Sequence, residues 1–271
     1  MKRTITLPAG ALTVLGLAAC SDATGPDHDE TPHDPIAIQG EWRGQVMPGD
    51  LLEIKGINGD IQATAAVGRE IVVTWTKWGS EYDPAGITIE VVHHADGVTI
   101  CAVYPDVPGR PKNECMPGQQ GNMVVQNNDV AVDFNVTVPT GVDLVGRTVS
   151  GDVYADGLRS NVFGSTVSGN VDITTSEVAE ASAVSGSIEA SIGRPDWHQD
   201  LAFTTASGSV AVSIPGNTNA EVWATSLTGN VSSDFSLPVQ HDGSIRGTLG
   251  SGGALLRIST VAGNISLRRS S

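Results

Sequence analysis

Few residues in this chain combine type and spacing in a way that could do chemistry. Asp27, His28, Asp29, Glu30, His33 and Asp34 form a run of acids and imidazoles. It either binds a divalent cation weakly or is a solvated, charged linker. His93 and His94 are adjacent, and adjacent side chains on a strand point to opposite faces, which makes them poor partners for one metal. Asp152 and Asp172, with Arg147 nearby, are the raw material for cleaving a glycosidic bond. The two carboxylates nevertheless fall at different phases of a repeated pattern, one at a bend and one on a strand. Gly250-Ser251-Gly252-Gly253 has the glycine density of a phosphate cradle, but neither Lys nor a helix follows, which leaves a Gly-rich turn. Trp197-His198 sits in an insertion, Gly193–Asp200, as a ligand contact on a projecting loop or as an aromatic cap over an edge. HExxH, GxSxG, P-loop, paired CxxC, EF-hand and nonapeptide calcium patterns are absent. No Lys follows Lys112, which removes Lys-dependent chemistry from the second half. No residue is expected to be catalytic, and no metal ligand or cofactor is expected.

The pattern those residues interrupt is a repeat. Val149-Ser150-Gly151-Asp152-Val153 recurs around Gly169, Gly186, Gly208, Gly229 and Gly263, with a distant copy around Gly59. In all seven copies an apolar residue is followed four positions later by Val or Ile, Gly lies midway, and Asp, Asn or Ser follows the Gly. The middle Gly-to-Gly spacings are 18, 17, 22 and 21 residues. After each Gly, apolar and polar residues alternate, as in Val171-Asp172-Ile173-Thr174 and Val210-Ala211-Val212-Ser213. Period two means a strand with one buried and one wet face. Gly accepts positive φ, and short polar side chains bond nearby backbone, so the Gly sites read as bends. One such unit cannot bury its apolar face alone, whereas a stack of them can. The expected fold is all-β, a β-solenoid of stacked short strands with ~17–22-residue repeats. A meander or sandwich is the competing layout.

Composition agrees with a narrow aliphatic interior: aromatics make up 4% of the 271 residues, and there are 32 Gly. The net charge is −15 and the sequence pI is about 4.6. Excess acid disfavours nucleic acid and anionic lipid as partners.

Along the chain, residues 1–19 read as a secretory signal, with Lys2 and Arg3 ahead of a short apolar run from Ile5 to Leu17. Leu17-Ala18-Ala19-Cys20 resembles the lipobox of bacterial lipoproteins at every position. The resemblance implies cleavage before Cys20, diacylglycerol on its thiol, and a membrane partner reached through that anchor. Ser21, where Asp often signals inner-membrane retention, points to the outer membrane. Cleavage removes two cations and no acid, taking the net charge to −17. Residues 20–40, with Pro26, Pro32 and Pro35, are expected to be a disordered tether. Residues 41–137 form an N-terminal β region, with strands at Leu51–Ile57, Gly59–Ala65, Glu70–Lys77, Ile87–His93, Val98–Val103 and Val130–Val138. Residues 138–271 hold the dense repeats, with Asn217–Ala220 and Gln240–Gly247 as loops. Once Cys20 is acylated, Cys101 and Cys115 are an even pair in an oxidising compartment. They are expected to form a disulfide closing a Pro- and Gly-rich excursion, and a two-Cys metal site is the alternative.

The repeats, the lipobox and the Gly250–Ile265 ending together resemble the bacterial putative-adhesin, β-strand-repeat family of envelope proteins, a domain of unknown function. The resemblance spans about Leu51 to Arg269 and implies a β-solenoid on the cell envelope. It supplies no catalytic residue. The expected function is a non-catalytic envelope lipoprotein whose polar face binds a glycan or protein, in an oligomeric state the sequence leaves open. The alternatives are a carbohydrate-active β-helix enzyme and an accessory to envelope-stress signalling. If Cys20 carries the anchor, Cys20→Ser shifts the protein from the membrane to the soluble fraction on cell fractionation; unchanged membrane retention would contradict it.

Overall fold

A computed structural model describes residues 36–270. The lipobox, Cys20 and the acid–His run of residues 27–34 lie outside the described residues. The described residues hold twenty strands, one 3-10 turn at Pro84–Gly86 and no α-helix. Seven strands come first: β1 (Ile36–Gly44), β2 (Leu51–Lys55), β3 (Ile61–Ala65), β4 (Ile71–Gly79), β5 (Thr88–His94), β6 (Gly97–Val103) and β7 (Ala131–Val138). The dense repeats then form coils of two strands flanking a Gly bend. These are β8 (Asp143–Arg147) with β9 (Val153–Leu158), β10 (Val162–Ser168) with β11 (Val171–Thr175), and β12 (Ala179–Ser185) with β13 (Ile188–Ile192). Next come β14 (Leu201–Ser207) with β15 (Val210–Pro215), and β16 (Ala220–Thr228) with β17 (Val231–Ser233). After β18 (Ile245–Leu249), β19 (Leu255–Ala262) and β20 (Ile265–Ser270) complete the chain.

The strand after each bend joins one ten-stranded sheet, here the first sheet, in the order β1-β4-β7-β3-β9-β11-β13-β15-β20-β17. The strand before each bend joins the second sheet, in the order β18-β16-β19-β14-β12-β10-β8-β2-β6-β5. The architecture is the expected β-solenoid, with two parallel-rich sheets facing each other across one core. Val153, Val171, Ile188, Val210 and Ile265 stack in register inside the first sheet, each at most 1% exposed. Burying each such side chain stabilises by about 1.5–3 kcal/mol.

The bend explains the repeat motif atom by atom. All seven repeat glycines have positive φ, from 116° at Gly59 to 155° at Gly186. A Cβ on Gly186 would run into the carbonyl oxygen of Gly169 in the next coil, and Gly151, Gly169, Gly208, Gly263 and Gly229 each meet a neighbouring glycine carbonyl in the same way. That carbonyl accepts a side-chain hydroxyl from three residues before the next glycine. Thr148 Oγ1 donates to Gly59 O at 3.0 Å, Thr166 to Gly151 at 2.8 Å, Thr205 to Gly186 at 2.9 Å, Thr260 to Gly208 at 2.9 Å, and Ser226 to Gly263 at 2.8 Å. Gly169 lacks this rung because the matching residue is Ala183. The residue after each glycine forms a second ladder. Asp60, Asp152, Asn170, Ser187, Ser209 and Asn264 each accept the backbone N–H of their counterpart one coil on. Asp, Asn and Ser recur there because each is a short acceptor.

The Gly59 copy, distant in sequence, belongs to the same stack as the repeat implies: Gly59 N donates to Ser150 O at 2.8 Å, placing it beside the Gly151 coil. Several other expectations are corrected. Stacking the coils in sequence order would put Val171, Ile188, Val210 and Val231 in one inner column and Asn170, Ser187, Ser209 and Asn230 in one outer row; the column is interrupted, because Ile265 pairs with both Val210 and Val231. The outer row of Asn170, Ser187, Ser209 and Asn230 likewise takes in Asn264 ahead of Asn230. The C-terminal coil has thus inserted between two coils that are consecutive in sequence. The expected tether loses residues 36–40 to β1, which pairs along its whole length with β4. The expected loop Gln240–Gly247 overlaps β18, and Ala220 opens β16. β1 and β5 at one end, and β18 at the other, run antiparallel to their neighbours. They break the run of parallel pairing at three of the four sheet edges, and β17, paired in parallel with β20, forms the fourth.

Gly186→Ala should destabilise by about 2 kcal/mol or more from backbone strain and carbonyl overlap. Gly68→Ala, where a Cβ meets nothing, should be neutral within about 0.5 kcal/mol. Denaturant unfolding of both variants checks the pair. Ala183→Thr should supply the missing rung, stabilise by about 1 kcal/mol, and raise Tm by about 2–4 °C in thermal unfolding.

Candidate functional site

The outer face of the second sheet is the most differentiated surface of the solenoid. Register places Arg246, Trp223, Arg257 and Ala202 side by side across β18, β16, β19 and β14. Further along the same face, Glu180, Phe163, Val145 and Glu53 neighbour one another across β12, β10, β8 and β2. One pleat on lies a hydroxyl row, Thr225, Ser259, Thr204, Ser182 and Ser165, which continues into Arg147 and Lys55. These hydroxyl residues are half-buried and present an even polar strip. Burial pushes the Glu180 carboxyl up, against a hydrogen bond from the Ala202 backbone.

At the β2–β6 end this face is covered. Cys101 on β6 and Cys115 form a disulfide with Cα atoms 5.8 Å apart, as expected from the cysteine pair. The long excursion between β6 and β7 is pinned onto the sheet by two charges. Glu53 is 1% exposed, and its carboxylate accepts Thr99 Oγ1 at 3.0 Å, Gly118 N at 2.8 Å and Arg147 Nε at 3.2 Å. Lys55 donates to the carbonyls of Met116 and Gly118. Burial pulls Lys55 below its usual range; Glu53 opposes this and Arg147 adds to it. A cavity of about 230 Å³ beside the excursion is lined by Lys55, Glu114 and Arg147 among others. Two of those charges are already committed, Lys55 to carbonyls and Arg147 to Glu53 and the Phe163 ring, 4.6 Å away. The far end of the excursion is tied by Asp129. Its carboxylate accepts the Ser80 hydroxyl and the N–H groups of Ser80, Glu81 and Tyr82, which hold it well below the usual carboxylate range.

The residues singled out in the sequence are not brought together. Asp152 serves the bend ladder and accepts Tyr154 OH at 2.6 Å, which pushes Tyr154 up to about 12. Asp172 stands on the outer face of the first sheet, beside Glu189, in direct register. Burial raises its carboxyl, with the charges of Glu189 and Asp156 adding to the shift. Arg147, expected near Asp152, pairs with Glu53 instead. His94 Nε2 lies 3.2 Å from Thr99 Oγ1 while the His93 ring sits 6.1 Å from that of Trp42, so the two rings diverge. Trp197 is buried, in keeping with the aromatic-cap reading, and His198 is exposed. Gly250–Gly253 is a turn, where Asn219 Oδ1 accepts Ser251 N. Among the described residues no group of three His, Cys, Asp or Glu could hold a metal ion, and no helix is long and apolar enough to cross a membrane.

The family model Toastrack DUF4097 matches residues 120–268, more than half of the chain. The chain belongs to this Toastrack family. The match takes in the coils from β7 to β20, while the Gly59 coil, inside the same stack, lies upstream of it. No curated protein matches the chain. Among solved structures it is similar to a putative cell adhesion protein from Clostridium sporogenes, at 12% identity and a TM-score of 0.47, covering 86% of this chain and 100% of that one. It is also similar to a putative adhesin from Bacteroides fragilis, at 12% identity and a TM-score of 0.33, covering 86% of this chain and 97% of that one. Within this Toastrack chain, sequence reasoning missed Glu53 and the Arg246–Trp223–Arg257 row. Glu53 had no signal: it alternates with Leu52 and Ile54 as the exposed Asp172 alternates with Val171 and Ile173, and only the cover of the excursion buries it. The arginine row had none either, because register alone joins its members.

Glu53→Gln should leave Lys55 and Arg147 without their shared counter-charge and destabilise by about 2 kcal/mol. Hydrogen exchange at the Gly118 amide should rise with it. Unchanged stability and unchanged protection would show that Glu53 does not hold the excursion down.

Proposed function

We propose that the chain is a non-catalytic binding protein of the cell envelope, anchored through a lipid on Cys20 and held outside the cytoplasm on the outer membrane. The observation that carries the binding reading is the outer face of the second sheet, where an even hydroxyl row runs beside a row of aromatic and guanidinium groups. Side-chain hydroxyls both donate and accept, as sugar hydroxyls and exposed peptide groups require. Rigid parallel strands hold such a row without the ordering cost of a flexible loop. The lipobox and the cysteine pair, both features of extracytoplasmic proteins, support the location.

A carbohydrate-active enzyme is the second reading, and the Asp156, Asp172 and Glu189 group is what favours it. Glycosidic cleavage needs an acid and a base facing each other across the scissile bond. These three are exposed, and Asp172 and Glu189 project side by side from neighbouring strands. The charges of Glu189 and Asp156 add to the rise of the Asp172 carboxyl, and the group does not enclose a substrate.

A glycan and matrix-protein binding screen of the chain, run beside saccharide incubation with product detection, separates the two. The binding reading expects saturable retention of a glycan or protein with no new reducing ends. Turnover abolished by Asp172→Asn would overturn it.

A further inference from the structure

Two guanidinium groups flank one indole on the outer face of the second sheet. Arg246 Cζ lies 4.3 Å from the Trp223 ring centroid and Arg257 Cζ lies 4.6 Å from it. The arginines come from the strands on either side of Trp223, so their backbones are two strand spacings, about 10 Å, apart. Both are exposed, and among the described residues neither makes a salt bridge. The neighbouring acids hydrogen-bond to hydroxyls, while the charges of Asp242 and Arg246 still act on each other without a salt bridge. Glu221 accepts Thr248 Oγ1 at 2.8 Å, and Asp242 accepts Ser244 Oγ at 2.6 Å and Ser244 N at 3.0 Å.

We propose that Arg246, Trp223 and Arg257 form a binding site for the carboxylates of an acidic glycan, with the adjoining hydroxyls of Thr225, Ser259 and Thr204 receiving its sugar hydroxyls. The proposal rests on the binding reading above and names its ligand class. Stacking against the indole fixes each guanidinium plane and leaves N–H edges for bidentate pairing with a carboxylate. The order of the arginines is thereby set before the ligand arrives, which reduces the entropy lost on binding. Two unpaired cations in a chain of net charge −15 capture sparse anionic groups. The same net charge repels a dense polyanion such as nucleic acid or an anionic lipid surface. The hydroxyl row alongside matches a polyol better than an acidic peptide. The site exists because the C-terminal coil inserts into the stack and brings Arg257 against Trp223.

The test is affinity electrophoresis of the full chain in hyaluronate, whose carboxylates fall on alternate sugars, and in its methyl ester, which has the same backbone without the charge. The native chain should be retarded by the acid and much less by the ester, and added salt should weaken the effect. Arg246→Gln and Arg257→Gln should each weaken hyaluronate binding about tenfold. Arg110→Gln with Arg159→Gln, the same charge change elsewhere, should leave it unchanged. Unaltered thermal unfolding of each variant shows that the solenoid is intact. Equal binding of the ester, or undiminished binding by the Arg246→Gln/Arg257→Gln double variant, overturns the site while a saccharide-binding surface still stands. Failure of the native chain to bind hyaluronate overturns it as well. Loss of self-association in the double variant would assign the arginines to a second copy of the chain, and is also against the proposal.

Discussion

Everything in this structure depends on glycine backbones approaching glycine backbones. At six of the seven bends the glycine of one coil lies against the glycine carbonyl of its neighbour, and Gly59 lies against the Val132 carbonyl, where no side chain fits. The carbonyl, turned away from the strand ladders, needs a donor, and a threonine or serine hydroxyl supplies it in five coils. The following Asp, Asn or Ser accepts the neighbouring N–H. Backbone groups at a bend would otherwise be left for water, and a bend without partners would separate the two sheets. Three residue positions therefore set the spacing between coils, and the strands on either side inherit their register from it.

That register creates the surfaces. Once the coils are fixed one strand spacing apart, side chains at equal phase form rows across many strands. Inward rows of Val, Ile and Leu make the core. Outward rows differ between the sheets: Tyr154, Asp172 and Glu189 on the first, hydroxyls, aromatics and arginines on the second. The excursion closed by Cys101 and Cys115 covers one end of the second sheet and is anchored by a buried carboxylate, leaving the opposite end open.

Much of the fold was legible because the bend chemistry is local. Gly151 and its equivalents announce themselves by the Asp, Asn or Ser after them and the alternation beyond. The stacking order was not legible, because each copy presents the same rungs. The Gly263 bend can dock on Gly208 as well as Gly229 can, and only the length and path of the chain between them decides. β1 was hidden by the Pro- and acid-rich residues before it, although Ile36, Ile38 and Trp42 alternate. β18 was hidden by the turn residues His241, Asp242 and Gly243 that lead into it. The candidate site was the least legible part. Trp223, Arg246 and Arg257 belong to three strands whose adjacency follows from an insertion the repeat does not encode.

That insertion is the claim most directly open to measurement, since both the ladder and the arginine row rest on it. Cysteines placed at Ser209 and Asn264 sit on neighbouring rungs. Cysteines at Ser209 and Asn230 are two rungs apart, about 10 Å, beyond the reach of a disulfide. Under mild oxidation of the folded protein, peptide mapping should find the 209–264 bridge and not the 209–230 bridge. A 209–230 bridge formed in preference would mean that the coils stack in sequence order, and the account would be wrong.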